Sequence, residues 1–180
     1  AETKSYSEKL DPASKAIVFD MSSPRIKNAS IILKKSTAVS IKYDIMPRSK
    51  INGEAKLAMI TDFDGSLTVK EPEKIDVDMK IKMEVQVPET TVCIFRGTQG
   101  SIEIQDDWKG GLDFAGLTNY SIKTKNLDQN FEFKTVSGSI NIGSAKNMRV
   151  ETGSGNIRME GTTGELTATT ISGLVVVNSF

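Results

Sequence analysis

Two carboxylates on either side of a phenylalanine form the part of the sequence that most resembles a reactive site. Asp62 and Asp64 follow an apolar run at residues 57–60, and Gly65 and Ser66 come directly after them. One carboxylate in such a place can act as nucleophile and Mg²⁺ ligand, and the second can act as general acid. With the serine hydroxyl as a phosphate-binding group, the spacing is compatible with phosphoryl transfer.

The segment resembles the first motif of haloacid-dehalogenase-type phosphatases, in which an apolar strand leads into Asp-x-Asp-Gly-Thr-Leu-Thr. That resemblance implies a parallel sheet fed by helices, so helical periodicity should alternate with strands. Beyond residue 70 no segment has helical periodicity. Because aspartate and glycine also favour tight turns, we predict a turn between two strands and no enzyme. A phosphatase using Asp62 and Asp64 is kept as the alternative, and cation binding by this pair is left open.

The composition removes the commonest catalytic groups. The 180 residues include no histidine, so neither a Ser-His-Asp set nor a histidine metal site can form. The one cysteine, Cys93, cannot form an internal disulfide, and its apolar neighbours predict a buried thiol. The basic and acidic residues number 23 each, which gives no reason to expect a nucleic acid as partner. We expect no metal and no cofactor.

Alternation of apolar and polar residues over residues 75–87 is the clearest structural signal. A period of two predicts a strand with one buried face and one solvated face, ended by Pro88. Shorter β signals begin near residue 29, and a short helix is expected at residues 5–10. We therefore predict an N-terminal β-rich segment at residues 1–70, which could act as a cap. A repeat β domain would follow at residues 71–180, the two forming one continuous domain.

Short apolar pairs recur every 8 to 10 residues after Phe95, and every second pair follows a turn of small residues. The doubled unit of 17 to 20 residues predicts an all-β repeat protein. Two arrangements fit: a β-solenoid-like stack in which each doubled unit is one coil, or an antiparallel sandwich or meander of hairpins. Both need glycine at their corners. The corner glycines are Gly100, Gly138, Gly155 and Gly173. In the stack they would lie in one row, which Tyr120 or Ser121 would complete.

The units Ser137-Gly138-Ser139-Ile140, Gly155-Asn156-Ile157 and Ser172-Gly173-Leu174 carry a further likeness. They are similar to the iterated Ser-Gly-x-Ile turns of the bacterial putative-adhesin family of unknown function. The similarity covers about the last hundred residues, and the glycine is missing at Asn119-Tyr120-Ser121. It implies a β-solenoid-like fold and an envelope location. The polar start, Ala1-Glu2-Thr3, is typical of a chain after signal-peptide removal, so we expect export to the periplasm or cell surface.

These patterns predict a non-catalytic structural or binding module, an adhesin-like scaffold or an assembly subunit without a transmembrane segment. The strand at residues 174–177 has no charge, proline or bulky polar group to protect an edge. We expect Leu174, Val176 and Phe180 to contact a protein partner or a second copy, unless residues 16–19 fold back over this end or further residues beyond Phe180 cover it in the natural chain. Trp108, in a glycine-rich loop, either packs in the core or contacts a ligand. In the latter case the chain would be a carbohydrate-binding β module.

Overall fold

The computed structural model describes residues 2–10 and 15–178 and is built from β-strands. No helix occurs in these two ranges, which confirms the predicted all-β class. The strands are β1 (Lys4–Leu10), β2 (Ala16–Met21), β3 (Ile26–Lys35), β4 (Val39–Pro47), β5 (Ala58–Thr61), β6 (Leu67–Lys70), β7 (Met79–Val87), β8 (Val92–Ile104), β9 (Leu112–Lys123), β10 (Phe131–Ser137), β11 (Ile140–Ala145), β12 (Met148–Ser154), β13 (Ile157–Thr162), β14 (Leu166–Ser172) and β15 (Val175–Val177).

The chain passes back and forth between two layers of strands. The first layer holds, in spatial order, β5, β6, β2 and the first halves of β8 and β9, and then β10, β12 and β14. The second layer holds β1, β4, β7, β3 and the second halves of β8 and β9, and then β11, β13 and β15. One pass through both layers is one coil. The last coil, residues 166–177, consists of β14 and β15.

Strand pairs within the repeats are parallel. In the second layer β9 pairs with β11, β11 with β13 and β13 with β15, and in the first layer β12 lies between β10 and β14. Ile122, Ile140 and Ile157 are therefore stacked in register on successive coils. Among the described strands, antiparallel pairs join only β1 to β4, β4 to β7 and β5 to β6. The described chain therefore forms parallel coils, and not hairpins, from Ile102 onward.

Apolar side chains from both layers fill one core that extends along the coils from Ile17 to Met159. Aromatic rings form a column inside it. The ring centroids of Phe19 and Phe95 are 5.3 Å apart, and those of Phe95 and Phe114 are 5.4 Å apart. Because the three rings belong to β2, β8 and β9, their stacking joins neighbouring strands of the first layer. The boundary at residue 70 stays a prediction.

Three local expectations from the sequence are not met. Residues 4–10 form β1 and not a helix, because their backbone pairs with β4. Strand β7 begins at Met79 and not at residue 75, because its neighbours β3 and β4 reach no further than Ile26 and Pro47, opposite Met79. Residues 16–19 belong to β2, which pairs with β6 and β8, so they do not cover the last coil.

Candidate interaction surface on the last coil

Glycines line the corner where the chain turns from the first layer into the second. Gly100 lies opposite Tyr120, and Gly138, Gly155 and Gly173 follow at the same corner on later coils. A β-carbon on Gly155 would lie 2.1 Å from the carbonyl oxygen of Gly138, and φ at Gly155 is +148°. Successive corners therefore pack backbone against backbone, and a residue without a β-carbon is required at Gly155.

Tyr120 occupies the position of a glycine in this row and turns its ring into the core. Its side chain is fully buried, and a β-carbon on Gly97 would collide with the phenol ring. The glycine on β8 therefore provides the space that the tyrosine on β9 fills. Within the described part of the chain the Tyr120 hydroxyl has no hydrogen-bond partner, and burial raises the pKa of Tyr120.

A threonine two residues before each of three Ser-Gly corners is a structural element that the sequence analysis missed. Thr135, Thr152 and Thr170 are in register on β10, β12 and β14. The Oγ1 of Thr152 donates to the carbonyl oxygen of Gly138 at 3.0 Å, and that of Thr170 donates to Gly155 at 2.9 Å. Each hydroxyl thus satisfies a carbonyl at the corner of the preceding coil. The available signal was the recurrence of Thr-x-Ser-Gly at spacings of 17 and 18 residues.

Outward-facing side chains form polar rows across the coils of the second layer. In the row beside the glycine corner, the Oγ of Ser121 accepts a hydrogen bond from the Ser139 backbone nitrogen at 3.1 Å. In the same row, the Oδ1 of Asn156 accepts one from the Leu174 backbone nitrogen at 3.0 Å. Two residues further along each strand, a second row contains Glu103, Lys123, Asn141 and Arg158. Polar groups therefore cover the outward face up to the coil before the last.

The last coil replaces these polar side chains with apolar ones. Leu174 follows Asn156 in the first row and is 68% exposed. Val176 follows Arg158 in the second row and is half-buried. At the adjacent corner Ile171 is 88% exposed. No residue from 166 to 178 carries a charge. The predicted interaction residues Leu174 and Val176 therefore lie on one outward face, whereas Phe180 lies outside the described residues.

The backbone of the last coil is hydrogen-bonded along one edge. The carbonyl oxygen of Ser172 accepts a bond from Gly155 at 2.9 Å, and the nitrogen of Asn178 donates to Met159 at 3.0 Å. Along the opposite edge, neither β14 nor β15 pairs with another strand of residues 2–10 or 15–178. An uncharged, unpaired strand edge can bind a further strand through its free amide and carbonyl groups.

Trp108 is part of the core and not of this surface. Its side chain is 1% exposed, and its backbone is held by hydrogen bonds of 2.9 Å with Asn126 and Asp128. The buried indole cannot act as an exposed platform for a sugar ring in this conformation. Of the two interpretations of Trp108, packing in the core is the one that its burial supports, and the carbohydrate-binding alternative loses the residue on which it depended.

Asp62 and Asp64 lie in the turn of the antiparallel β5–β6 hairpin. The backbone nitrogen of Asp62 donates to the Ser66 carbonyl at 2.8 Å, and that of Ser66 donates to Asp64 Oδ1 at 2.9 Å. This second hydrogen bond lowers the pKa of Asp64. Phe63, between the carboxylates, is fully exposed. This hairpin lies at the edge of the first layer, and no helix adjoins it among the described residues, so the frame that the phosphatase alternative requires is not present there. Within the described ranges, no three histidine, cysteine, aspartate or glutamate side chains are grouped to hold a metal.

Cys93 is an inert core residue. Its side chain has no exposed area, and burial raises the pKa of its thiol to about 12. The thiol is therefore protonated and inaccessible near neutral pH. Across the described parts of the chain, no helix has the length and apolar character needed to cross a membrane.

Comparison with known proteins finds similarity at the level of structure alone. No protein-family model and no curated protein matches the sequence. A putative adhesin from Bacteroides fragilis is 11% identical with a TM-score of 0.47, over 99% of this chain and 97% of that chain. A putative cell adhesion protein from Clostridium sporogenes is 9% identical with a TM-score of 0.45, over 99% of this chain and 100% of that chain. A putative adhesin from Parabacteroides merdae is 16% identical with a TM-score of 0.42, over 97% of this chain and 96% of that chain. These values do not assign the chain to a family.

Proposed function

We propose that the chain is a non-catalytic binding module, in which the stacked coils are a scaffold and the last coil contacts another protein. One observation carries the proposal. The outward positions that hold Asn156 and Arg158 in one coil hold Leu174 and Val176 in the next. Polar side chains at these positions would serve the fold equally well, as the preceding coils show. Burying apolar surface releases about 25 cal/mol for each Å² removed from water, so a partner that covers these side chains is favoured.

We further propose that the module is adhesin-like, as a scaffold or assembly subunit, and is exported to the periplasm or cell surface. The Ser-Gly-x-Ile turns at the corners support this part of the proposal, since they are the feature shared with the adhesin-type sequences. Fractionation of the cells that make the protein, followed by detection with an antibody, tests the location. Recovery of the whole amount from the cytosol would contradict export.

A substitution that copies the preceding coil tests the role of the last coil. Leu174→Asn combined with Val176→Arg gives this coil the outward residues that Asn156 and Arg158 provide one coil earlier. Ser139→Asn combined with Asn141→Glu is the matched control, because it also places an asparagine in the first row and one charge in the second row, but on an inner coil.

Each protein is immobilised and exposed to an envelope extract, and the retained proteins are identified by mass spectrometry. We expect wild type and the inner-coil control to retain an envelope protein that the last-coil variant loses. Equal retention by all three proteins would contradict binding through the last coil.

A further inference from the structure

The two ends of the stack differ in shape. At the last coil the layers end level, because β14 and β15 are consecutive strands of one coil. At the other end, the described second layer has β7, β4 and β1 beyond β3, whereas the first layer has only β6 and β5 beyond β2. One layer therefore projects past the other by one strand, or about 4.8 Å. At the level end, a partner can contact β14 and β15 at the same time. Two copies of the chain that meet there bring identical surfaces together.

We infer that the last coil binds a second copy of this chain through twofold symmetry; this deepens the proposed function by naming the partner. A twofold axis perpendicular to both the stack and the strands reverses the strand direction, so β14 of one copy runs antiparallel to β14 of the other. The same operation pairs β15 with β15. Strand lengths then match in both layers, at 7 residues for β14 and 3 for β15. The antiparallel ladder satisfies the free backbone groups, and such an interface closes after two copies.

The charge distribution favours pairing of like surfaces. Across a twofold axis a charged residue near the axis meets its own copy, and like charges on facing strands repel. Residues 166–178 carry no charge, so this edge meets its own copy without repulsion. At the opposite end, the edge strand of the second layer, β1, carries Lys4, Glu8 and Lys9, which discourage strand addition in that layer.

The inward side chains of the last coil also lack one covering layer. Leu166 and Ala168 are half-buried, whereas Met148 and Val150, their neighbours in register on β12, are buried. The difference arises because β12 has a coil on each side and β14 has one. A second copy on the open side would cover these side chains as an inner coil does.

Thr169 and Val176 lie at the middle of the two edge strands and so nearest the proposed axis. With Thr169 opposite Thr169 of the second copy, Thr167 faces Ile171 of that copy. Facing threonine and β-branched side chains are favourable cross-strand pairs. One axis thus places an uncharged pair at the centre of each layer.

The buried native thiol permits a direct crosslinking test. Because Cys93 is inaccessible, a cysteine introduced on the outward face is the reactive thiol of the chain. Thr169→Cys places it at the proposed axis, and Lys134→Cys, the matched control, places it in the same outward row on β10. We expect a short bismaleimide to give a covalent dimer of Thr169→Cys at least tenfold more efficiently than of Lys134→Cys. Equal crosslinking of the two variants would overturn the inference.

Sedimentation equilibrium of the unmodified 180-residue chain gives an independent measurement. We expect a reversible monomer–dimer equilibrium without larger species, weakened roughly tenfold or more by Leu174→Asn with Val176→Arg. Open chains of higher mass would overturn the twofold arrangement, and a monomer at every concentration would overturn self-association. A monomer that still retains an envelope protein through Leu174 and Val176 would leave the proposed function intact. A chain that is monomeric at every concentration and retains no envelope protein would contradict both this inference and the proposed function.

Discussion

Alanine at Gly155 tests whether the glycine row holds the coils together. The added β-carbon would lie 2.1 Å from the carbonyl oxygen of Gly138, and φ of +148° is a value that residues with side chains rarely adopt. Ordinary non-bonded contacts begin near about 3.5 Å, so the two coils would have to separate at this corner by more than about 1 Å.

The magnitude follows from the bonds beside the corner. Gly138 donates to the Ser154 carbonyl at 3.0 Å, and Thr152 Oγ1 donates to the Gly138 carbonyl at 3.0 Å. Loss of two such bonds lowers the free energy of unfolding by about 1 kcal/mol each. A side chain in an unfavourable φ region adds about 1–3 kcal/mol. The expected loss is therefore about 3–5 kcal/mol, a large fraction of the about 5–15 kcal/mol typical of a domain.

Two control variants separate the contribution of the clash from that of φ. Gly65 has φ of +86° with no atom within 4 Å of an added β-carbon, so Gly65→Ala reports the φ contribution, about 1–2 kcal/mol. Gly138 does not have positive φ, but its β-carbon would lie 2.2 Å from the Tyr120 carbonyl, so Gly138→Ala reports the clash. Urea unfolding should give a loss for Gly155→Ala at least as large as the sum of the other two, because some side chains adopt φ near that of Gly65, whereas φ of +148° is essentially restricted to glycine. A loss below about 1 kcal/mol for Gly155→Ala would refute backbone packing at the corner.

Four further predictions concern buried and exposed polar groups. Tyr120→Phe removes a buried hydroxyl that has no partner among the described residues, so the free energy of unfolding should stay equal or rise. Tyr43→Phe removes the acceptor of a 3.0 Å bond from Leu57 and should lower it by about 1–3 kcal/mol in the same urea titration. Burial raises the pKa of Tyr43 from 10 and that of Cys93 from 9 to about 12 in each case. The stability that these groups contribute is therefore fully present below their unfolded pKa values and is lost as the pH rises towards 12. Circular dichroism should show this alkaline unfolding, and Cys93→Ala should reduce it. Asp62→Asn should change stability by at most about 1 kcal/mol, because the residue lies in an exposed turn. Mg²⁺-dependent phosphate-ester hydrolysis that disappears in this variant would restore the phosphatase hypothesis.

The repeat could be predicted because each coil uses the same positions for the same physical purpose. Ile122, Ile140 and Ile157 recur because each faces the core at the same position of three successive coils. Gly138 and Gly155 recur because successive corners are too close for a β-carbon. Both demands fall on single positions at a fixed spacing, so they are visible in the sequence without knowledge of the partner strands.

Features that depend on distant partners could not be predicted in this way. Residues 4–10 carry charges and no long apolar run, and their pairing with β4 decides that they form a strand. Trp108 stands in a glycine-rich loop, where local sequence does not distinguish burial from exposure. Its position is set by residues 126–128 on the next coil, because its backbone is hydrogen-bonded to Asn126 and Asp128 there.

The apolar outward positions of the last coil belong to this second group. Val175, Val176 and Val177 form a continuous apolar run, in which sequence alone does not separate inward from outward positions. The pairing of Val176 with Arg158 identifies it as an outward position that is polar one coil earlier. The sequence therefore predicts that this end of the chain contacts a partner. The strand register identifies Val176 as an apolar side chain at a position where the core does not require one.

Charge exchange at Val176 separates a twofold contact from a general loss of stability. If the axis passes beside Val176, an arginine there meets its own copy at about 5 Å, and two like charges at that distance repel by about 1–3 kcal/mol in a partly solvated site. Val176→Arg alone and Val176→Glu alone should therefore both be monomeric. An equal mixture should form a heterodimer, because each arginine then faces a glutamate.

An arginine at this outward position lies in register beside Arg158, but repulsion between two solvated charges costs at most about 1 kcal/mol, so unfolding of the variant is not expected. Sedimentation of each variant and of the mixture measures the result, with Asn141→Arg and Asn141→Glu as controls on an inner coil. A mixture that stays monomeric while both variants remain folded would place the contact elsewhere and remove the twofold axis from Val176.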